Sequence, residues 1–210
     1  MLHGLLGEVT VKAGESRQPA SGSAAGRHEA DGGSHTLAER RARRQARSAE
    51  RIRVVPPERF TKERLDRKLS VLDAAAFLVR IPKPLSWLKL QDLLYFAQAW
   101  HLVWDEELLF PEDITATHDG IEIAEIDSLL TGRFEVTPGH LRRGRPDRLD
   151  ESRQQTLSGI VKFYADRSHF RLNDLIVSAE PWLNARKGAE KHEKPVIPPV
   201  ELHRHYRNLE

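Results

Sequence analysis

The stretch LKLQDLLYFAQAWHLVWDEELLF, Leu88 to Phe110, constrains the fold more than any other part of the 210-residue chain. Leu90, Leu93, Leu94, Ala97, His101 and Trp104 fall at i, i+3, i+4, i+7, i+11 and i+14, one continuous helical face. Tyr95, Phe96, Ala99, Trp100 and Val103 cover most of the remaining circumference. A helix that is apolar nearly all the way round is stable only among other helices. Lys89, Gln91, Asp92, Gln98, His101 and Asp105 interrupt the run well short of the ~18 consecutive apolar residues that a membrane span needs. Leu88–Trp104 is therefore read as a buried core helix.

The flanking sequence supplies helices to surround it. Ser70 and Asp73 have capping-box spacing ahead of Val71, Ala75, Leu78 and Val79, and Ile81-Pro82-Lys83-Pro84 ends that helix. Ser86 caps the core helix, with Leu85 and Leu90 at hydrophobic-staple spacing. Asp105-Glu106-Glu107 and Pro111 mark a turn, and DITATHDGIEI holds a short strand pair around Asp119-Gly120. Ile123, Ile126, Leu129 and Leu130 predict a short helix that stops at Gly132. A polar loop, Thr137 to Arg148, follows. Asp150 caps a helix that buries Leu157, Ile160, Val161 and Tyr164, and Ser168 opens one that carries Leu172, Leu175 and Ile176. Pro181 sits in a first turn with Gly188 past its helix end, and a last helix after Pro198-Pro199 buries Leu202 and Tyr206. The expected fold is mainly α: a compact multi-helix domain, residues 60–210, around a buried central helix, with at most a short β-element.

Residues 1–59 read differently. Gly14 to about His35 is Gly-, Ala- and Ser-rich without apolar periodicity, so it buries too little to offset its chain entropy and is expected to be disordered. Thr36 to Arg53 carries seven Arg, among them Arg40, Arg41, Arg43 and Arg44, and reads as a basic tail in which a solvated helix can start at Thr36. Residues 1–68 hold 15 of the 33 Lys/Arg and 9 of the 31 Asp/Glu, leaving 18 basic against 22 acidic in the remainder. A basic tail thus precedes a mildly acidic body. There is no cysteine, which rules out disulfides, thiolate catalysis and Cys-ligated zinc and agrees with a reducing compartment. MLHGLLGEVTVKAG lacks the apolar core of a signal peptide, so a cytoplasmic location is expected.

Residue types that carry chemistry are sparse. His101 and Asp105 are spaced i, i+4, which suits either a shared metal or, more simply, a half-buried histidine at a helix end. His203 and His205 are two apart and point away from each other on a helix. Glu122, Glu125 and Asp127 suit paired carboxylates or, more simply, an exposed helix face, and Trp100, Trp104 and Trp182 are more simply core than a stacking platform. No GxSxG, P-loop or GxGxxG sequence occurs. Neither a catalytic group, a cofactor nor a metal is expected; the Arg run is the one candidate for phosphate contact.

The central stretch resembles the signature of the Panacea domain family, which includes SocA-like antitoxins and phage-associated GepA proteins. Lys89, Leu90, Gln91, Leu93, Leu94, Tyr95, Phe96, Ala97, Gln98, Ala99 and Trp100 match its Lys-Leu-Gln-x-Leu-Leu-Tyr-(Tyr/Phe)-(Ala/Cys)-Gln-(Ala/Gly)-Trp core, with Leu109, Phe110 and Pro111 at the following element. Leu172, Leu175, Pro181, Trp182, Arg186 and Gly188 match a second block, and the resemblance covers about Leu69 to Leu209. Gly120-Ile121-Glu122 stands where many members have Gly-Pro-Val, and Ile176-Val177 where many have Thr-His. The resemblance implies the antitoxin of a toxin–antitoxin pair, which neutralises a neighbouring gene's toxin by direct contact and, in the SocA case, delivers it to a ClpXP-type protease. The Arg-rich tail supports the other reading, a DNA-binding transcriptional regulator.

Overall fold

The structure is a computed structural model, and it describes residues 60–62 and 69–210. The readings made for residues 1–59, those of Arg40, Arg41, Arg43 and Arg44 included, lie outside the described residues. Seven α-helices occur among the described residues: α1 Val71–Leu78, α2 Trp87–Asp105, α3 Ala124–Leu130, α4 Glu151–Tyr164, α5 His169–Val177, α6 Glu180–Arg186 and α7 Pro199–Arg207. None of them is long and apolar enough to cross a membrane.

Local chemistry fixes where these helices begin. The Ser70 side chain accepts from the Leu72 amide, and Asp73 Oδ2 accepts from the Ser70 amide at 3.1 Å. Ser86, Asp150 and Ser168 cap α2, α4 and α5 through the amides of Lys89, Arg153 and Arg171. Each cap of this kind stabilises its helix by about 1 kcal/mol. Glu106 closes α2 in the left-handed region (φ 55°), where its amide still reaches Leu102 O at 3.1 Å.

Helix α2 is the axis of the fold. It packs against α1, α3, α4, α5 and α7, and Leu90, Leu93, Leu94, Tyr95, Ala97, Ala99 and Leu102 have no exposed surface. The mainly α expectation is met, as is the short β-element. Strands β1 (Thr115–Ala116) and β2 (Ile121–Glu122) pair antiparallel with Ala116 opposite Ile121. The sequence did not suggest that residues 195–197 line the other side of β1, with Ala116 N donating to Pro195 O and Ile197 N to Ile114 O, both at 2.8 Å. The prolines on either side of Val196-Ile197 hide any strand pattern.

Three details differ from the sequence reading. Leu129 is exposed, because a two-turn helix buries only Ile126 and Leu130. Glu122 belongs to β2 rather than to a helix face, and it pairs with Lys194 at 2.6 Å. The Thr137–Arg148 loop contains two 3-10 turns, Pro138–Leu141 and Pro146–Arg148, and is anchored on α1. A Cβ at Gly144 would fall 2.1 Å from Leu72 O, and Arg145 N donates to Asp73 Oδ1 at 2.6 Å. Asp73 therefore caps α1 with one oxygen and holds the loop with the other.

Candidate functional site

Several polar residues that interrupt the apolar run of α2 are buried rather than turned to water. A buried amide side chain must find partners, and these find the backbone of distant loops. Gln98 Oε1 accepts from the amides of Leu109 (2.9 Å) and Phe110 (3.3 Å), while its Nε2 donates to Phe110 O at 3.3 Å. Gln91 Oε1 accepts from Ile123 N at 2.7 Å, the residue that starts α3. Lys89 Nζ donates to Ala165 O at 2.7 Å, satisfying a carbonyl at the C-terminal end of α4, where a cation suits the helix dipole. Desolvation holds this ammonium below its ordinary range.

The aromatic residues of the same stretch form one cluster. Phe96 stacks on Tyr164 at 4.3 Å, and Trp100 Nε1 donates to Tyr164 Oη at 3.0 Å. Tyr95, Phe96 and Trp100 all meet the edge or face of Tyr206 from α7. Leu90 and Leu94 are fully buried in the same core. Trp100 and Trp104 are half-buried at the rim of this cluster.

The second block closes over the hairpin. Pro181 is buried in the first turn of α6, and Trp182 Nε1 donates to Gly120 O at 2.7 Å. Asn173 Nδ2 donates to Asp119 O at 2.8 Å from α5. A Cβ at position 120 would come within 2.7 Å of Asn173 Oδ1, so the turn and the two helices meet at a glycine. Ile176 is buried and Val177 half-buried further along α5.

Next to this junction lies a pair that the sequence reading missed. Asp92 is 2% exposed on α2, and its Oδ2 is 2.6 Å from Nδ1 of the half-buried His169 on α5. Burial pushes the Asp92 carboxyl up, with His169 opposing it. The hydrogen bond to Asp92 raises the imidazole. Both groups hold protons more tightly in the folded chain than in the unfolded one, so this pair stabilises the fold less as pH rises through the raised histidine value. The melting temperature of the full chain is expected to fall as pH rises above about 6.5, the ordinary histidine value. In Asp92→Asn the same profile is expected to flatten. An Asp92→Asn profile parallel to that of the wild type would place the proton on another group.

The remaining candidates fall apart from one another. His101 is buried, not half-buried as its helix-end position suggests, because α4 covers it. Its Nδ1 is 3.0 Å from Thr156 Oγ1 and 3.1 Å from Asp105 Oδ2. His203 is buried beside Phe60, whereas His205 lies near Glu180, and burial lowers its imidazole. Among the described residues no group of three or more His, Asp or Glu is placed to hold a metal ion. Glu112 was also missed: it accepts from Ser70 Oγ (2.7 Å) and Val71 N (2.8 Å), tying the 111–113 segment to the start of α1. No protein-family model, curated protein or solved structure matches the chain.

Proposed function

We propose that this protein is an antitoxin that neutralises a toxin encoded by a neighbouring gene through direct contact in the cytoplasm, and that it can act as an adaptor presenting the toxin to a ClpXP-type protease. The resemblance of Lys89–Trp100 and Leu172–Gly188 to the Panacea domain motifs supports this reading. The observation that carries contact as the mode of action is the pair of phenylalanines at the α4–α5 connection. Phe163 is 61% exposed and Phe170 is 77% exposed, on either side of a short link in a well-packed body. Aromatic side chains of this size at the surface offer the apolar area that a protein partner buries at the centre of a contact. The motif residues of α2 hold loops and core together, which leaves such surface groups to meet the toxin.

Co-expression with the neighbouring gene tests the proposal. The full chain is expected to co-purify with that gene's product and to restore growth when it is induced. Phe163→Asp with Phe170→Asp should remove both effects while the helical signal and melting temperature stay near those of the wild type. Replacing Arg40, Arg41, Arg43 and Arg44 with Ala should leave neutralisation intact. The seven arginines between Arg40 and Arg53 favour a second reading, a DNA-binding regulator. On that reading the same four substitutions remove promoter binding, and the phenylalanine substitutions do not.

A further inference from the structure

We infer that the segment from Arg133 to Arg145 is a binding surface for single-stranded nucleic acid, with Phe134 as the base-stacking platform and the surrounding arginines as phosphate contacts. This inference is independent of the antitoxin reading. Phe134 is 93% exposed. It does not sit on a loose end: Trp87 N donates to Arg133 O at 3.0 Å and Val136 N to Leu85 O at 2.7 Å, so the backbone on both sides is hydrogen-bonded to the start of α2. A phenyl ring held out from a fixed backbone loses little further freedom when something stacks on it.

The charges around it are mostly of one sign, and the cations are of one chemistry. Arg133, Arg142, Arg143 and Arg145 are all exposed. Between residues 133 and 148 five arginines face only Glu135 and Asp147, and no lysine occurs there. This local balance is opposite to that of the body as a whole. Arg133 Nη1 lies 3.3 Å from His140 Nε2, which brings the Phe134 segment against the 3-10 turn that leads into Arg142. Arg142 and Arg143 follow His140 by two and three residues, so their Cα atoms are within about 11 Å of its own. Gly144 against Leu72 O and Arg145 N on Asp73 then fix the loop on α1. Guanidinium groups suit phosphate oxygens in bidentate geometry and also stack on bases.

The surroundings decide between a nucleic acid and an acidic protein. A protein hot spot needs apolar neighbours that exclude water. Along the chain the exposed neighbours of Phe134 are Thr131, Gly132, Arg133, Glu135, Thr137, Pro138 and Gly139, Val136 is buried, and the half-buried Trp87 is tied to Arg133 by its backbone amide. An exposed ring flanked along the chain by cations and hydroxyls matches the stacking platforms of single-strand binders, where each base supplies its own apolar face. A duplex offers no free base to that ring.

The test uses the full chain with Arg40, Arg41, Arg43 and Arg44 replaced by Ala, so that the tail does not obscure the loop. Fluorescein-labelled 20-nucleotide oligo(dT), oligo(rU) and a duplex of the same length are titrated at several salt concentrations. Binding to a single strand at low salt is expected, at least about tenfold tighter than to the duplex. Phe134→Ala should weaken it about tenfold with the salt slope kept. Arg142→Gln, Arg143→Gln and Arg145→Gln together should lower that slope by about 2. The relative affinities of the two single strands tell DNA from RNA as the ligand. Equal affinity for the duplex, or an unaltered affinity in Phe134→Ala, would overturn the proposal. So would an absence of oligonucleotide binding, and if the same substitutions then block co-purification with the neighbouring gene's product, the surface is a protein contact instead.

Discussion

Leu94→Asp is expected to abolish cooperative folding of the domain. Leu94 has no exposed surface and lies on the helix that five others pack against. Loss of the leucine alone costs about 3–5 kcal/mol, as Leu94→Ala would show. The aspartate adds a carboxylate among apolar groups with no cation to meet it, a further penalty of several kcal/mol. Against a total stability of about 5–15 kcal/mol for a domain of this kind, the sum leaves little or nothing. Circular dichroism should show Leu94→Ala melting cooperatively at a lower temperature and Leu94→Asp without a transition. A soluble Leu94→Asp protein that melts near the wild-type temperature would remove α2 from the centre of the fold.

The fold could be read from the sequence largely because its punctuation is local. Ser70, Ser86, Asp150 and Ser168 each act on an amide two or three residues away, and the left-handed Gly132 and Gly188 follow their helices directly. Apolar spacing within α2, α4 and α7 needs no knowledge of the partner helix. What stayed hidden depends on residues far apart in the chain. The interior of α2 contains Gln91, Asp92, Gln98 and His101, which periodicity treats as interruptions. Their partners lie 32, 77, 11 to 12 and 55 residues away, at Ile123, His169, Leu109–Phe110 and Thr156. Hydropathy alone does not tell a buried, satisfied glutamine from a solvated one.

The sites divide in the same way. Lys89, Gln91, Gln98, Trp100 and Trp182 stand out through a resemblance in sequence, and only in the folded chain does each meet an atom of another segment. Asp92 and His169 carry no local signal, since one looks like a polar helix residue and the other like a residue after a cap. The exposure of Phe134, Phe163 and Phe170 is equally invisible in sequence. Phe163 directly precedes Tyr164, whose ring is stacked on Phe96, and the choice of which aromatic faces inward depends on where α2 lies.

Gln98→Met is expected to be the most destabilising single change that leaves the apolar packing of α2 intact. Methionine is close to glutamine in length and volume, so no large cavity forms. The change leaves two buried amides, Leu109 N and Phe110 N, and one carbonyl, Phe110 O, without the side chain that now serves them. Each orphaned group costs about 1–3 kcal/mol, and imperfect geometry at 3.3 Å puts the total at about 2–5 kcal/mol. For a domain of this size that is a fall of about 5–15 °C in melting temperature. Gln91→Met orphans only Ile123 N and should cost less than half as much. Hydrogen exchange locates the effect: the amides of Leu109 and Phe110 should lose protection in Gln98→Met and keep it in Gln91→Met. The 108–111 segment also receives the Arg153 guanidinium on Leu108 O at 3.2 Å. If that bond alone held the segment, Gln98→Met would melt within a degree or two of the wild type and both amides would stay protected. The deeper burial of Gln98, with three contacts to the segment against one from Arg153, argues that the glutamine is the principal tie.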